Sequence, residues 1–283
     1  MRYNLHTHTY RCNHASGTDR EYVEAAIKAG MKTLGFADHC PQFFPNDYYS
    51  TFRMRPEAAA DYVESLRTLK KEYKDDIEIL IGFETEYYPA IFDKFREFIA
   101  PLDLDYMIMG QHFIHNEYEV PNYYASNPTY EDAKQYVRQT LEGLRTGMFT
   151  YIAHPDILRH EDPVFYRELM TEYCRELKDM DIPVEYNILG YRNKKWYPNA
   201  LFWQVVAEVG NRVVLGYDAH EPGALLEENN YDACMGYLNM LGITPIQFRD
   251  IEIRRPNGKI SDKIHFGALT LYTMCCIIYE EKL

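Results

Sequence analysis

The sequence predicts an α/β protein in which seven or so strand–helix units close into a parallel barrel. Two observations carry this. Short apolar, strand-like runs alternate with amphipathic helical segments over about the first 245 residues, as in parallel strands joined by helical crossovers. At or just after those runs stand histidines and carboxylates, which is where an α/β barrel carries its chemistry.

Residues 2–5 read as a strand running into His6-Thr7-His8. Side chains alternate faces along a strand, so His6 and His8 project to the same side. The loop over 10–17 carries His14. Thr18 and Glu21 fit a capping box, and Tyr22, Val23, Ala26 and Ile27 share one helical face with Gly30 as the stop. Residues 32–38 form the second strand, ending at Asp38-His39. A long aromatic loop over 40–55 follows, and Pro56 opens a helix whose stripe is Tyr62, Val63, Leu66 and Leu69. The third strand, 77–83, ends at Glu84. A short helix over 91–99 stops at Pro101, and the fourth strand, 106–109, ends at His112. Residues 129–146 are helical. The fifth strand, 149–153, ends at His154. Asp162-Pro163 is a good N-cap and first-turn pair for a helix reaching about Met180. The sixth strand is 182–187. The next helix, 198–209, ends at Gly210, and the seventh strand, 212–217, ends at Asp218. The last helix covers about 231–241. The chain is expected to be one domain, 1–283, with a C-terminal extension at about 246–283. Its apolar run at 269–279 suits a packed helix or strand.

Composition narrows the function. No apolar run reaches the roughly 18 residues of a membrane span, and no basic-then-apolar leader opens the chain, so a cytoplasmic location is expected. The formal net charge of -13 repels nucleic-acid phosphates, and no long Lys/Arg run offsets it. A small substrate follows, with neither nucleic acid nor membrane as partner. The six cysteines lack Cys-x-x-Cys spacing and read as reduced thiols.

The strand ends supply His6, His8, His14, His39, Glu84, His112, His154, Asp218 and His220. A lone histidine beside a core strand is ordinarily just packed there. Six strand ends each bringing His, Asp or Glu is a different pattern. Imidazoles and carboxylates without thiolates suit Zn, Fe or Mn. Nine donors exceed the roughly four to six that one ion takes, so two or three ions are expected. His160 and His265 lie outside the pattern; His115, just past His112, is a candidate pocket residue.

These residues resemble the PHP (polymerase and histidinol phosphatase) superfamily of metal-dependent phosphoesterases. The likeness runs through His6-Thr7-His8, Asp38-His39, His154-Pro155-Asp156 and Asp218-Ala219-His220, with Glu84 and His112 between them. The histidinol-phosphatase branch shows in 35–41, 82–89, 110–114, 185–192, Tyr197-Pro198 and 216–220. The resemblance covers roughly 1–245. It implies a distorted (β/α)7 TIM-like barrel with a trinuclear site. His6, His8, Glu84 and Asp218 would hold one ion. Glu84 would bridge to a second, completed by His112 and His154, and His14, His39 and His220 would hold the third. Gln111, where the branch usually has a small residue, and Tyr191 and Asn193 around Arg192 depart from its pattern.

The activity implied is hydrolysis of L-histidinol phosphate to L-histidinol and phosphate, a step of histidine biosynthesis, with a metal-bridging hydroxide attacking phosphorus. The alternative is another small phosphomonoester, a sugar or nucleotide phosphate. Arg159 and Arg192 are the candidate phosphate clamps, with Arg53 and Arg55 behind them. Asp156 is the candidate acid for the leaving alcohol. Phe43, Phe44, Tyr48, Tyr49 and Phe52 are a candidate lid over an imidazole-bearing substrate.

Overall fold

The computed structural model describes residues 2–45, 47–118 and 128–256. Six strands run parallel: β1 (Tyr3–Asn4), β2 (Thr33–His39), β3 (Glu78–Thr85), β4 (Tyr106–Met109), β5 (Val184–Asn187) and β6 (Val213–Gly216). They form a four-stranded sheet, β1-β2-β3-β4, and a two-stranded sheet, β5-β6. The fold is a mixed α/β one with a curled parallel sheet.

Residues 149–153, expected as a full strand, form only single bridges, Met109 to Ile152 and Ile152 to Val184. They still lie in the sheet, since Thr150 N–H donates to Met107 O at 2.8 Å and Glu185 N–H to Ile152 O at 3.0 Å. A further bridge joins Thr7 to Ala219. Thus six strands, not seven, are regular among the described residues.

The helices are α1 (Asp19–Lys28), α2 (Ala59–Glu72), α3 (Phe92–Ile99), α4 (Tyr130–Leu144), α5 (Pro163–Asp179), α6 (Ile188–Arg192), α7 (Ala200–Val209) and α8 (Glu228–Met240). Their ends follow local chemistry. Thr18 and Glu21 form the capping box of α1, and Thr129 and Asp132 that of α4. Asp162 caps α5 with Pro163 in its first turn. Gly210, at φ +75°, ends α7 in the left-handed conformation that glycine adopts without strain. The sequence reading did not include α6. Asn187 caps it, accepting from Gly190 N–H at 2.8 Å, so the chain turns helical directly off β5.

Period-two alternation sorts the strands. Leu34, Phe36, Ile79, Ile81, Phe83, Met107 and Met109 pack outward under the helices. Leu5, Ala37, Leu80, Tyr106, Ile108, Tyr151, Ala153 and Val214 form a second, inner cluster. Ile251 and Ile253 join that inner cluster, and Tyr3 OH donates to Ile246 O at 2.9 Å. The first part of the C-terminal extension therefore closes the end where the strands begin. Residues 257–283, including the 269–279 run and His265, lie outside the described residues.

Candidate metal centre

The same alternation places the site. Inward positions above the inner cluster are Glu84 on β3, Glu185 on β5 and Gly216 on β6, with Gly110 just past β4. A Cβ on Gly110 would overlap the Glu84 carboxylate, and one on Gly216 would overlap the Glu185 carboxylate. These two glycines leave room for buried acids to lie across the mouth of the sheet.

Glu84 is the hub. Its Oε1 lies 2.9 Å from His154 Nε2 and 3.5 Å from His112 Nε2. Its Oε2 lies 3.0 Å from His39 Nδ1, 3.5 Å from His6 Nε2 and 3.6 Å from His8 Nε2. Asp218 Oδ1 is 3.1 Å from His8 Nε2 and 3.5 Å from His6 Nε2. His14 and His220 meet through their Nε2 atoms at 2.9 Å, and the His220 ring stacks on His8 at 4.1 Å between centroids. All nine residues singled out from the sequence come together here. Groups with donor atoms close enough to share an ion include His6, His8 and Asp218; His6, Glu84 and His154; and His8, His39 and His220; the buried Cys12 thiol also comes within such reach of His14 and His220. His154 and Asp218 reach the centre from left-handed backbone, at φ 30° and 50°.

The donor atoms fit divalent transition-metal ions. His6 Nε2, His8 Nε2, His39 Nδ1, Glu84 Oε2 and Asp218 Oδ1 are buried and have no hydrogen-bond partner. An unmade bond of this kind costs about 1–3 kcal/mol, and five side by side face one another. The electrostatics agree. Burial pulls the His6 imidazole down, yet Glu185, Asp218 and Glu84 outweigh it and hold its pKa well above the ordinary value. His8 and His154 are raised against burial in the same way, chiefly by the nearby carboxylates of Asp218 and of Glu84. The opposite side differs. Burial and the neighbouring His8 push His39 well below its ordinary value and His220 down to about 3, and burial lowers His14. One side thus attracts positive charge, and the other offers neutral imidazole lone pairs.

Three further acids, given no role from the sequence, orient the imidazoles from behind. Glu185 Oε1 lies 2.8 Å from His6 Nδ1, Glu86 Oε1 2.6 Å from His112 Nδ1, and Asp38 Oδ1 3.4 Å from His8 Nδ1. Holding the proton on Nδ1 leaves Nε2 to face the centre. The sequence signal was available: Glu86 follows Glu84 by two, and Glu185 interrupts an apolar strand.

A cavity of about 660 Å3 opens onto the centre, lined by the metal-facing residues other than His6 and His8, together with Phe52, Phe113, Leu189, Arg192, Trp196 and Tyr197, among others. Arg192 lies in it, paired with Glu221 at 3.2 Å and Glu227 at 3.4 Å. Three other substrate candidates do not line it. Arg53 is corrected outright: it is 1% exposed, with its guanidinium spent on Glu86 and Glu117. His115 bonds Asp132 at 3.0 Å, beside the α4 cap. Arg159 lies over the Trp196 ring at 5.2 Å. Asp156 is likewise absent from the lining. The turn after His154 directs its Oδ2 to Asn199 N–H at 2.6 Å and Trp203 Nε1 at 2.9 Å.

Of the aromatic loop, only Phe52 reaches the cavity. Phe43 packs on Phe98, Phe44 on Tyr88 and Tyr48, and Tyr49 under Arg55. Gln111 is buried, bonding Tyr87 N–H and Phe113 O, each at 2.9 Å, so its departure from the pattern is absorbed by loop structure.

A parallel α/β sheet whose mouth gathers imidazoles around shared carboxylates defines a class of metal-binding α/β proteins. Within it this chain belongs to the PHP domain family, whose model matches residues 4–188. It is 28% identical over 232 residues to a Deinococcus radiodurans protein named "Probable histidinol-phosphatase", covering 77% of this chain and 86% of that one. It is 22% identical over 253 residues to the histidinol-phosphatase of Bacillus subtilis, covering 77% and 93%. The histidinol phosphate phosphatase of Lactococcus lactis, solved with zinc, L-histidinol and phosphate, has the same fold. The TM-score is 0.64 at 17% identity, covering 92% of this chain and 98% of that one. No helix among the described residues is long and apolar enough to cross a membrane.

Proposed function

We propose that this protein is a metal-dependent phosphomonoesterase that hydrolyses L-histidinol phosphate to L-histidinol and phosphate. The observation that carries the reading is Glu84, one carboxylate in reach of five imidazoles at the floor of a cavity that also holds Arg192. The relatives named for the same reaction support the substrate. The nine residues would hold two or three Zn, Fe or Mn ions: His6, His8, Glu84 and Asp218 one, Glu84 with His112 and His154 a second, and His14, His39 and His220 a third. We also read the bridges at Ile152 and Thr7 as completing a distorted (β/α)7 barrel, and the whole chain as one cytoplasmic domain acting on a small molecule rather than on nucleic acid or membrane.

Bound divalent ions supply an activated water and neutralise the phosphoryl and leaving oxygens. The chain's own residues do the rest. Asp38, Glu86 and Glu185 hold three imidazoles in the tautomer that leaves Nε2 unprotonated. Arg192 presents its guanidinium to the phosphate, with Glu221 and Glu227 fixing its direction. Phe52, Phe113, Trp196 and Tyr197 give apolar walls on which a flat ring can stack. They also keep bulk water from the floor, which strengthens each charge interaction there.

The test is phosphate release by protein loaded with Mn or Zn, across a panel of phosphomonoesters. Histidinol phosphate should exceed a generic chromogenic phosphate, sugar phosphates and nucleoside monophosphates in kcat/KM. Parity with the chromogenic phosphate rejects this substrate, and a sugar or nucleotide phosphate in first place would install the alternative.

A further inference from the structure

The aromatic loop ends in a buried cation that the reaction as outlined leaves without a task. The Arg53 guanidinium donates from Nη1 to Glu86 Oε2 at 2.5 Å and from Nη2 to Glu117 Oε2 at 2.6 Å. Its Nε points at Glu117 Oε1 at 3.4 Å, and Tyr88 OH donates to Glu117 Oε2 at 3.4 Å. Glu86 and Glu117 are as buried as Arg53 itself. The second oxygen of Glu86 lies 2.6 Å from His112 Nδ1, and His112 Nε2 faces Glu84 Oε1 at 3.5 Å. A continuous line of charged contacts therefore runs from Glu117 through Arg53 and Glu86 to the His112 edge of the centre.

Two carboxylates meet one guanidinium, so the line carries one surplus negative charge, buried, with its open end at His112. Charge of that sign is stable in a protein interior only beside a cation. The place it points to is the position shared by Glu84, His112 and His154. Arg53 also spans two partners at once, which a planar fork does and a point-like ammonium does not. Its guanidinium lies 4.5 Å from the Phe52 ring centroid, and that ring packs edge-on to His39 and His112.

We propose that Arg53 is a positioning residue of the centre. By fixing Glu86 against His112 Nδ1 it keeps His112 Nε2 turned to Glu84 as an acceptor, and so sets how tightly the ion on that side is held. This rests on the reading of the site as a metal centre.

The experiment is chelator competition on full-length protein titrated with Zn or Mn, in wild type, Arg53→Lys, Glu86→Gln and Glu117→Gln. Arg53→Lys and Glu86→Gln should weaken one equivalent about 10–100-fold while leaving the others in place. Glu117→Gln, which removes only the loop anchor, should weaken it clearly less. If Arg53→Lys does not fold, the comparison of Glu86→Gln with Glu117→Gln decides. Equal effects of these two variants, or unchanged affinity in Arg53→Lys, overturn the role of Arg53. Wild type binding fewer than two equivalents overturns the metal reading instead.

Discussion

Glu185→Gln removes one charge from β5 with almost no change of shape, and its consequences can be worked out atom by atom. Glu185 is fully buried. Oε1 faces His6 Nδ1 at 2.8 Å, and Oε2 accepts from His154 N–H and Asn187 Nδ2, both at 3.0 Å. An amide has one acceptor oxygen where the carboxylate has two. Turned to His6, it confronts the other two donors with its NH2, and two buried N–H groups lose their acceptor at about 1–3 kcal/mol each. Turned the other way, its NH2 meets His6 Nδ1 and forces the His6 proton onto Nε2, the atom between Glu84 and Asp218. The first outcome lowers the unfolding free energy of metal-free protein by about 2–6 kcal/mol. The second weakens ion binding about 10–100-fold. Urea unfolding of the metal-free protein reads one, and chelator competition reads the other. A variant within about 0.5 kcal/mol of wild type in stability, and with unchanged ion affinity, would refute the reasoning.

Four more outcomes are expected. Gly110→Ala should cost about 1–3 kcal/mol by overpacking and displace the Glu84 carboxylate, read as lost stability together with lost metal content. His6, His8 and His154 have raised pKa values, and an ion must displace their protons; ion affinity should therefore rise with pH between 6 and 8, and a flat competition profile would count against this. Burial lifts the Asp156 pKa to about 6, so its neutral form is the one the metal-free fold favours, and stability is lost as pH rises from the unfolded value through that range. Asp156→Asn should accordingly gain on wild type by about 2 kcal/mol between pH 4 and pH 8 in denaturant titrations. Arg192→Ala should raise KM about 10–100-fold through a lost charged hydrogen bond.

The centre was legible because strand ends are legible. Apolar runs of period two stop where His39, Glu84, His112, His154 and Asp218 begin, so convergence follows from topology. Charged side chains in loops were not. Arg53 reads as a secondary phosphate clamp because its partners lie 33 and 64 residues away, and only the folded loop reveals that both are buried. Asp156 follows His154 by two, which in a strand would share its face; the 3-10 turn Pro155–Ile157 rotates it onto Trp203 instead. Residues 149–153 carry a strand's composition, but only Ile152 forms a sheet bridge. The short helix α6 was missed because five residues hold less than two turns of periodicity, leaving the Asn187 cap as its only signal.

His154 and Asp218 sit at positive φ, where a non-glycine residue bears about 1–3 kcal/mol of strain. Glycine would relax both positions, and either exchange would remove a donor from the centre. A library of this protein sorted only for thermal tolerance would thus tend to discard chemistry at these two codons first. The backbone there is a compromise that folding alone has no reason to keep.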